Sequence, residues 1–448
     1  MELFNQLEKG FLNGILMFIA KKSLLFLIRL FVEGVFILTA TALSVWIRLG
    51  TKVDKNFPRM VWGSTPLINN SYWSKAMKEL GYISETFTLD FYTTINKRSD
   101  WDVILSEKYT FLPSFLKPYV GFIEALWKYD IFIISFDGFF LNHSKIWRCQ
   151  AFLLRLAGKK TVVIPYGADA YVYQRIRSTS LIHGLLMSYP QFSKTQRRIA
   201  QRVDYWCKWG DVIIPGLMGP DGMGRWDVLI PSALAIDLNN WSAGNRIYML
   251  ADTDKKVIIA HAPNHRGFKG SEFVFNAVEK LKQEGLNVEL LILEKMQNSQ
   301  VRKHLAEDVD ILVEQLIFTG HGLNGLEGMA SGIPTISNLE DEAYILPLRR
   351  WAYFNECPLI SASPETMLDV LRKLVNCPEL RFKLGKAGRA YVEKYHGLDS
   401  AQYLFKNVID YLYGRKETLI NLYHPVLGEY PNRSPKIEHP LVNNKIVD

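Results

Sequence analysis

The sequence predicts an α/β protein made of two doubly wound, Rossmann-like domains with a hydrophobic helical segment at the N-terminus. Between residues 59 and 395, short apolar runs alternate with stretches of helical spacing, as in parallel strands joined by crossover helices. This rhythm stops at "VLIPSALAIDLNNW" (228–241) and restarts at "KKVIIAHA" (255–262). The first fifty residues, in contrast, are mostly apolar. We therefore expect two units of similar size that face each other across a cleft.

Composition excludes several classes of protein. The chain has 448 residues, of which 48% are hydrophobic and 22% are charged, so it buries large cores and is not disordered. Its four cysteines are scattered, with no C-x-x-C pair, which argues against a zinc site or a disulfide framework and for a reducing compartment. The net charge of +8 suits anionic partners. Because no basic recognition motif accompanies this charge, we expect no nucleic-acid partner.

Four segments follow from the change of rhythm along the chain. They are a hydrophobic segment (1–55), a first Rossmann-like domain (56–240), a second Rossmann-like domain (241–395) and a C-terminal helix with an extended tail (396–448) that returns to the first domain. The predicted strands of the first domain are 59–64, 101–107, 130–138 and 160–167. The predicted strands of the second domain are 255–262, 288–293, 309–315 and 334–338.

The hydrophobic segment predicts attachment to a membrane. From Leu30 to Ile47 there are eighteen residues in which Glu33 is the sole charge, a length that just crosses a hydrocarbon core of ~30 Å. Arg29 and Glu33 are costly in lipid, so an interfacial helix pair or a re-entrant hairpin is an alternative to a crossing helix. A cleaved signal peptide is a third interpretation, because "ATA" at 40–42 resembles a cleavage site.

The stretch "IFTGHGLNGLEGMASGIPTIS" (317–337) predicts a nucleotide site. A strand followed by Gly320, Gly322 and a helix that starts near Asn324 places backbone N–H groups at the carboxyl edge of a parallel sheet, where a phosphate binds. Glu327 then lies in the first turn of that helix, where a carboxylate accepts hydrogen bonds from a ribose diol. Alternatively, the glycines only form a tight turn and Glu327 complements the helix dipole.

A second loop, "HAPNHRGFKGSEF" (261–273), carries two cations. Arg266 and Lys269 lie three residues apart in a glycine-bearing loop before a helix. Two cations directed at one point neutralise a diphosphate through charge-assisted hydrogen bonds. Alone, such a pair is typical of a solvated surface. Its position on the same sheet as the glycine stretch favours nucleotide binding.

These motifs resemble those of a known family. Residues 255–395 resemble the nucleotide-binding domain of retaining GT-B glycosyltransferases that assemble bacterial capsule, lipopolysaccharide and glycolipid sugars. The resemblance implies that Arg266 and Lys269 hold the donor diphosphate as the catalytic cations and that "LEGMASGIP" supplies the glutamate, Glu327, that holds the ribose. The remaining donor-binding residues implied by the resemblance are Gly63, Thr319, Gly320, His321, Gly322 and Leu323.

Two departures from the family pattern lie in the same stretch. The first glutamate of the family's Glu-x7-Glu motif falls at Thr319, which leaves the donor sugar open. The sequence "EQL" (314–316) looks like the D-Q-L variant of the preceding strand in one subgroup.

The first half resembles the family's acceptor domain more loosely. Gly63 stands at the bend after the first predicted strand, and "VIPYGADA" (163–170) resembles a strand end that often reads Thr-x-His-Gly-x-Asp. The implied acceptor-side residues are Asp137, His143, Tyr166 and Asp169. Asp137, His143 and Asp169 lie at predicted strand ends that face the cleft, and each is expected to orient groups or cap helices rather than to transfer protons.

The function implied by the resemblance is a membrane-associated glycosyltransferase. It moves a sugar from a nucleotide-sugar donor to a lipid-linked or saccharide acceptor with retention, on the cytoplasmic side of a bacterial inner membrane. We expect no cofactor and no metal. The other glycosyltransferase architecture holds a divalent cation with an Asp-x-Asp motif that follows a strand. The closest match here, Asp308 to Asp310, precedes a strand and is expected to be a helix end and a strand start. Two alternatives remain: a catalytically silent subunit that binds nucleotide sugar or a partner, and a GT-B nucleotide-sugar epimerase.

Overall fold

The computed structural model describes residues 2–93, 96–216, 222–243 and 255–447. Within the first 25 residues, only the side chains of Lys22 and Ser23 are described. The predicted start of the second domain, at residue 241, borders a stretch (244–254) that lies outside the described residues.

The first domain contains a six-stranded sheet of parallel strands in the order β3-β2-β1-β4-β5-β6. Its strands are β1 (Met60–Ser64), β2 (Ser84–Thr88), β3 (Val103–Ile104), β4 (Ile131–Ile134), β5 (Lys160–Val163) and β6 (Val212–Ile213). The helices that accompany them are α2 (Ile68–Glu79), α3 (Leu105–Lys108), α4 (Lys117–Lys128), α5 (Cys149–Leu156), α6 (Thr179–Ser188) and α7 (Gln196–Trp209). The strand order reverses between β1 and β4, which is the switch point of a Rossmann sheet.

The second domain contains a five-stranded sheet in the order β11-β10-β9-β7-β8, also parallel throughout. Its strands are β7 (Val257–His261), β8 (Val288–Ile292), β9 (Ile311–Thr319), β10 (Thr335–Asn338) and β11 (Ile360–Ser361). The helices are α8 (Arg266–Lys269), α9 (Ser271–Gln283), α10 (Asn298–Glu307), α11 (Leu323–Ala330), α12 (Glu342–Trp351), α13 (Met367–Asn376) and α14 (Pro378–Tyr395). Here the switch point lies between β7 and β9.

This architecture confirms the expected fold class, two doubly wound parallel-sheet domains preceded by an apolar helix. Individual strands differ from the sequence prediction. The predicted strand 101–107 is interrupted after Ile104, because the chain turns into α3 and the Ser106 amide donates to the carbonyl oxygen of Leu89. β2 was not predicted, since "SETFT" is short and polar although most of it is buried in the sheet.

The C-terminal segment contacts both domains. Helix α15 (Leu398–Leu412) packs on α2, where the ring of Phe405 meets that of Trp62 edge-on at 4.7 Å. Beyond Gly414 the tail ends in a hairpin of β12 (Leu441–Val442) and β13 (Lys445–Ile446). The Ser361 amide of β11 donates to the carbonyl oxygen of Asn444, so the tail returns to the second domain.

The N-terminal segment is one continuous helix, α1 (Glu2–Gly50). The alternatives of a helix pair and of a re-entrant hairpin are therefore wrong, because the helix is not interrupted at Lys21 and Lys22. By length and composition, the part from Phe26 to Gly50 is apolar enough to cross a membrane. That test alone is weak evidence for a membrane.

Candidate functional site

In doubly wound sheets, ligands bind at the carboxyl ends of the strands beside the switch point. In the second sheet this point is the gap between β7 and β9. The "HAPNHRGFKGSEF" loop follows β7 and the glycine stretch follows β9. The fold therefore brings both predicted donor motifs to one edge of one sheet.

The turn after β9 is fixed by backbone and side-chain hydrogen bonds. Gly320 has a φ of 112°, which an L side chain rarely adopts, and its amide donates to the carbonyl oxygen of Asn338 at 2.7 Å. Its carbonyl oxygen accepts hydrogen bonds from the side-chain Nε2 of Gln315, at 2.8 Å, and from the hydroxyl of Ser337. These hydrogen bonds hold the turn without a ligand. Because the Gly320 amide already donates to Asn338, it is not available to a phosphate.

The helix after the turn lies close to β9. A Cβ on Gly328 would overlap Leu312, and one on Gly325 would overlap the carboxylate of Glu314. Glycines three residues apart therefore let α11 approach the strand. The sequence pattern assigned no role to these two glycines.

The carboxylate of Glu314 lies against the amino end of α11. Its Oε1 accepts the Gly322 amide at 2.6 Å and lies 3.5 Å from Nζ of Lys269, while Oε2 has no hydrogen-bond partner among the described residues. The side chain is fully buried. The pattern "EQL" indicated a variant motif, but it did not predict this role of Glu314.

The two predicted cations diverge. Lys269 points inward, with a side chain 11% exposed, and donates to Oε1 of Gln315 at 2.7 Å. Arg266 is half exposed and makes a bidentate ion pair with Glu294, at 2.8 and 2.9 Å. The structure therefore brings Lys269, but not Arg266, to the glycine turn.

Glu327 lies on α11, which starts at the glycine turn, and is buried. It accepts the side-chain amides of Asn298, at 3.0 Å, and of Asn324, at 3.4 Å. Burial raises its pKa to about 7, and these two hydrogen bonds oppose the rise. The neighbouring side chains include Arg302 and, from the first domain, Tyr72. No sequence pattern indicated that Asn298 and Asn324 donate to Glu327.

The other predicted donor-side residues surround the turn. Thr319 is buried at the end of β9, and Leu323 begins α11. His321 is buried with its ring 5.8 Å from that of His396, and burial lowers its pKa. Its Nε2 has no hydrogen-bond partner within the described parts of the chain.

A contact between the domains covers the donor loop. Ser188, at the end of α6, accepts the amide of Phe268 at 2.7 Å, and Gly184 of α6 lies against Ile317 of β9. The ring of Phe268 stacks on that of Phe318 at 5.4 Å. Helix α6 thereby joins the first domain to the edge that carries the donor motifs, which no pattern in the sequence indicated.

The first domain has a cavity of about 840 Å³ at its own switch point. Ser64, the last residue of β1, and Asp137, after β4, line it together with His143 and Tyr166. Tyr166 donates its hydroxyl to Asp137 at 2.7 Å, and Arg202 of α7 forms an ion pair with the same carboxylate. This volume is in the range of small-molecule sites.

Asp169 lies beneath this cavity. It is buried and accepts the amides of Phe136, Tyr166 and Gly167, at 2.9 to 3.0 Å. Burial and the charge of Asp137 raise its pKa to about 7. The three amides show that Asp169 shapes the loops after β4 and β5. Burial, followed by the charges of Arg198 and Arg202, lowers the pKa of His143.

Two further sequence features have structural roles. A side chain at Gly63 would overlap the carbonyl oxygen of Phe87, so glycine lets β1 lie against β2. Asp308 follows the last residue of α10, and Asp310 accepts the amide of Ile258 before β9 begins. In the described part of the chain, no three His, Cys, Asp or Glu side chains are grouped as metal ligands.

Comparison with known proteins gives matches in structure alone. No protein-family model and no curated protein sequence matches the chain. Sucrose-phosphate synthase from Thermosynechococcus elongatus has 13% identity and a TM-score of 0.46, covering 80% of this chain and 100% of its own. HepE from Anabaena with UDP-glucose has 10% identity and a TM-score of 0.48, with coverages of 79% and 99%. WaaG, a glycosyltransferase of lipopolysaccharide biosynthesis, has 13% identity and a TM-score of 0.36, with coverages of 79% and 100%. At such values these likenesses do not establish an activity for this chain.

Proposed function

We propose that this chain is a GT-B glycosyltransferase that transfers a sugar from a nucleotide-sugar donor to an acceptor held by the first domain. One observation carries the proposal. At the switch point of the second sheet, Lys269 reaches the glycine turn through Gln315 and Glu314, and the buried carboxylate of Glu327 lies on the helix that follows. A cation beside a glycine turn and a carboxylate one helical turn further fit a diphosphate and a ribose.

Lys269 is the principal cation in this proposal. An ammonium group has three N–H donors, and the contacts to Gln315 and Glu314 leave one for a phosphate oxygen. Since negative charge collects on the departing diphosphate, a fixed ammonium group there stabilises the transition state more than the ground state. Arg266 joins it after leaving Glu294, with which its ion pair is surface-exposed and weak.

The acceptor occupies the cavity of the first domain. Its polar floor, with Asp137 and Tyr166, suits hydroxyl groups, whereas Phe115 and Ile28 give it an apolar rim. This combination favours a lipid-linked or saccharide acceptor. The contact of α1 with the cavity favours association with a membrane surface, with the domains on the cytoplasmic side.

The reaction exchanges two bonds at the anomeric carbon. The bond to the diphosphate oxygen breaks, and the bond to the acceptor oxygen forms on the same face of the sugar. The acceptor oxygen attacks the anomeric carbon directly, so no side chain acts as nucleophile. The acceptor proton passes to the departing diphosphate, so no side chain acts as general base. The donor is a substrate, and the proposal includes no cofactor.

A catalytically silent nucleotide-sugar-binding subunit is the second candidate. Thr319 stands where the related enzymes carry a glutamate, and it is buried between β9 and the turn. A protein that binds a nucleotide sugar but never transfers the sugar would fit this candidate.

The test is transfer by membranes that carry the full chain, supplied with radiolabelled nucleotide sugars and a lipid extract. We expect label in the lipid or saccharide fraction, and a strong loss in Lys269→Ala. Lys256→Ala is the matched control, because Lys256 pairs with Glu289 on the exposed surface of the same domain. Donor binding without transfer across the panel would support the silent subunit, whereas conversion of a free nucleotide sugar without acceptor would support an epimerase.

A further inference from the structure

Helix α1 exposes a continuous apolar stripe. Its members, which we call the docking face, are Leu27, Phe31, Leu38, Trp46 and Leu49, each more than half exposed. At about 100° per residue these positions lie on one side of a helix. An exposed apolar surface of this length marks an interaction site.

The opposite side of the same helix is packed against protein. Its buried residues are Glu33, Phe36, Ala40, Ser44 and Ile47. They rest on α4 and α5, where Phe36 meets the ring of Tyr119 at 5.2 Å. Glu33 accepts the hydroxyl of Tyr119 and the amide of Lys145, both at 3.1 Å. This contact runs for about 21 Å along the helix axis.

This packing argues against a crossing of the bilayer by the apolar part of α1 from Phe26 to Gly50. A crossing helix is surrounded by hydrocarbon, but here the first domain runs alongside α1 from Glu33 to Ile47. A perpendicular α1 would take Glu124 of α4 and Arg155 of α5 into the hydrocarbon, where charged side chains are costly. We propose that α1 lies parallel to the membrane and inserts its docking face into an anionic leaflet.

Aromatic side chains extend the docking face on both flanks. Trp46 stacks on Trp127 of α4 with ring centroids 4.8 Å apart, and both rings are about half exposed. On the other flank, Phe152 of α5 is 59% exposed. Tryptophan prefers the interface between headgroups and acyl chains, so these residues fit an in-plane insertion.

The surrounding charge selects an anionic surface. Lys145 lies 3.6 Å from the ring centroid of Phe26, and Arg155 and Lys208 lie near the ring of Trp209. Cations that cover aromatic rings keep their charge at headgroup level while the ring inserts. From residue 26 to 50 the sole acidic residue of α1 is Glu33, which is buried. Each such cation adds about 1 kcal/mol of attraction to an anionic leaflet.

The docking face is continuous with the acceptor cavity. Ile28 and Arg29 of α1 line the cavity together with Phe115. In-plane docking therefore opens the cavity at headgroup level, where a lipid-linked acceptor presents its polar end. This inference rests on the proposed membrane association and not on the transfer reaction.

Depth measurements test the orientation. A nitroxide is placed at Phe31→Cys, Leu38→Cys or Val45→Cys of the full chain, in a background in which Cys149 and Cys377, the cysteines that are not buried, are serine. On vesicles of 70% phosphatidylcholine and 30% phosphatidylglycerol, all three labels should lie at one shallow depth of about 5–10 Å. Depths that differ by about 21 Å between positions 31 and 45 would show a crossing helix and overturn the proposal.

Flotation with the same vesicles tests the face itself. The variant Phe31→Asp/Leu38→Asp should lose at least tenfold in binding, and 0.5 M NaCl should weaken wild-type binding. The matched control is Val426→Asp/Leu427→Asp, two exposed apolar residues of the C-terminal tail, which should bind like wild type. Unchanged binding of the α1 variant, or self-association through α1 without vesicle binding, would contradict the proposal. Transfer activity enters neither measurement, so failure of the proposed reaction would leave both results interpretable.

Discussion

Lys269 donates a 2.7 Å hydrogen bond to the side-chain Oε1 of Gln315, and Nε2 of the same side chain donates at 2.8 Å to the carbonyl oxygen of Gly320. One side chain thus ties the loop after β7 to the turn after β9. The position of the ammonium group is set by the same contacts that shape the glycine turn. This link makes the donor-side residues a preorganised unit rather than separate motifs.

Glu314 should limit donor binding, because its buried carboxylate lies beside the ammonium group of Lys269. In Glu314→Gln the acceptor for the Gly322 amide is retained and the negative charge is lost. We expect the donor KM to fall several-fold, as measured by transfer at varied donor concentration.

Glu314→Ala separates the two roles of this side chain. It leaves the Gly322 amide without its partner, which costs about 1–3 kcal/mol of stability. Thermal unfolding should report a lower midpoint for Glu314→Ala than for Glu314→Gln. Equal midpoints for the two variants would show that the bond to the turn is unimportant.

Arg266 should be held away from the donor by Glu294. Glu294→Gln weakens the bidentate pair, so we expect the donor KM to fall two- to fivefold. Arg266→Ala should raise the donor KM, and the double variant should behave like Arg266→Ala. Arg372→Ala, which removes an exposed arginine paired with Glu284, is the control. If Glu294→Gln lowers the donor KM equally in the presence and in the absence of Arg266, Glu294 does not compete with the donor for Arg266.

Sequence patterns were sufficient for the fold class, but they predicted only part of the strands and part of the site. Strands such as β4 and β7 are apolar runs that the sequence pattern predicts, and their alternation with helices predicts parallel pairing. β6 has two residues and no such signal. The ion-pair partners of the cations could not be predicted from the sequence. Glu294, for example, lies 28 residues after Arg266, and its contact with Arg266 depends on where β8 ends. The cover of α6 over the donor loop depends on how the two domains meet, which no local pattern encodes.

The buried carboxylate of Glu327 should make apo stability depend on pH. Burial raises its pKa from the ordinary 4.5 to about 7, so the folded chain binds this proton more tightly than the unfolded chain. The resulting stabilisation is fully present below pH 4.5 and is lost as the pH rises through 7, on the order of 3 kcal/mol. Glu327→Gln should remove this loss and unfold at a higher temperature than wild type at pH 8.

Donor binding should show the opposite pH trend. A ribose diol donates to the ionised form of Glu327, so donor affinity should fall as the pH decreases from 8 to 6, and Glu327→Gln should bind weakly at every pH. Asp169 titrates in the same range. Asp169→Asn therefore serves as the comparison and should keep the pH dependence of donor binding. If Asp169→Asn loses the pH dependence of donor binding and Glu327→Gln keeps it, the titrating group lies in the first domain.

Packing of α1 should contribute to the stability of the first domain. Phe36 is buried against Tyr119 and Phe122, so Phe36→Ala should cost about 3–5 kcal/mol and lower the midpoint of thermal unfolding. Phe31→Ala, on the exposed side, should leave the midpoint unchanged in detergent. A mature chain that begins after residue 42 and is equally stable would instead identify α1 as a cleaved leader.

The most direct test of the central claim is single-turnover transfer by Lys269→Ala beside Lys256→Ala, with whichever nucleotide sugar wild type uses. We predict that Lys269→Ala loses about 10²- to 10³-fold in the rate of sugar transfer and that Lys256→Ala is unaffected. Lys269→Ala should stay folded but unfold at a lower temperature than wild type, because the buried carboxylate of Glu314 loses its ion-pair partner. Wild-type rates in a folded Lys269→Ala protein would show that the leaving diphosphate is stabilised elsewhere and would contradict the account.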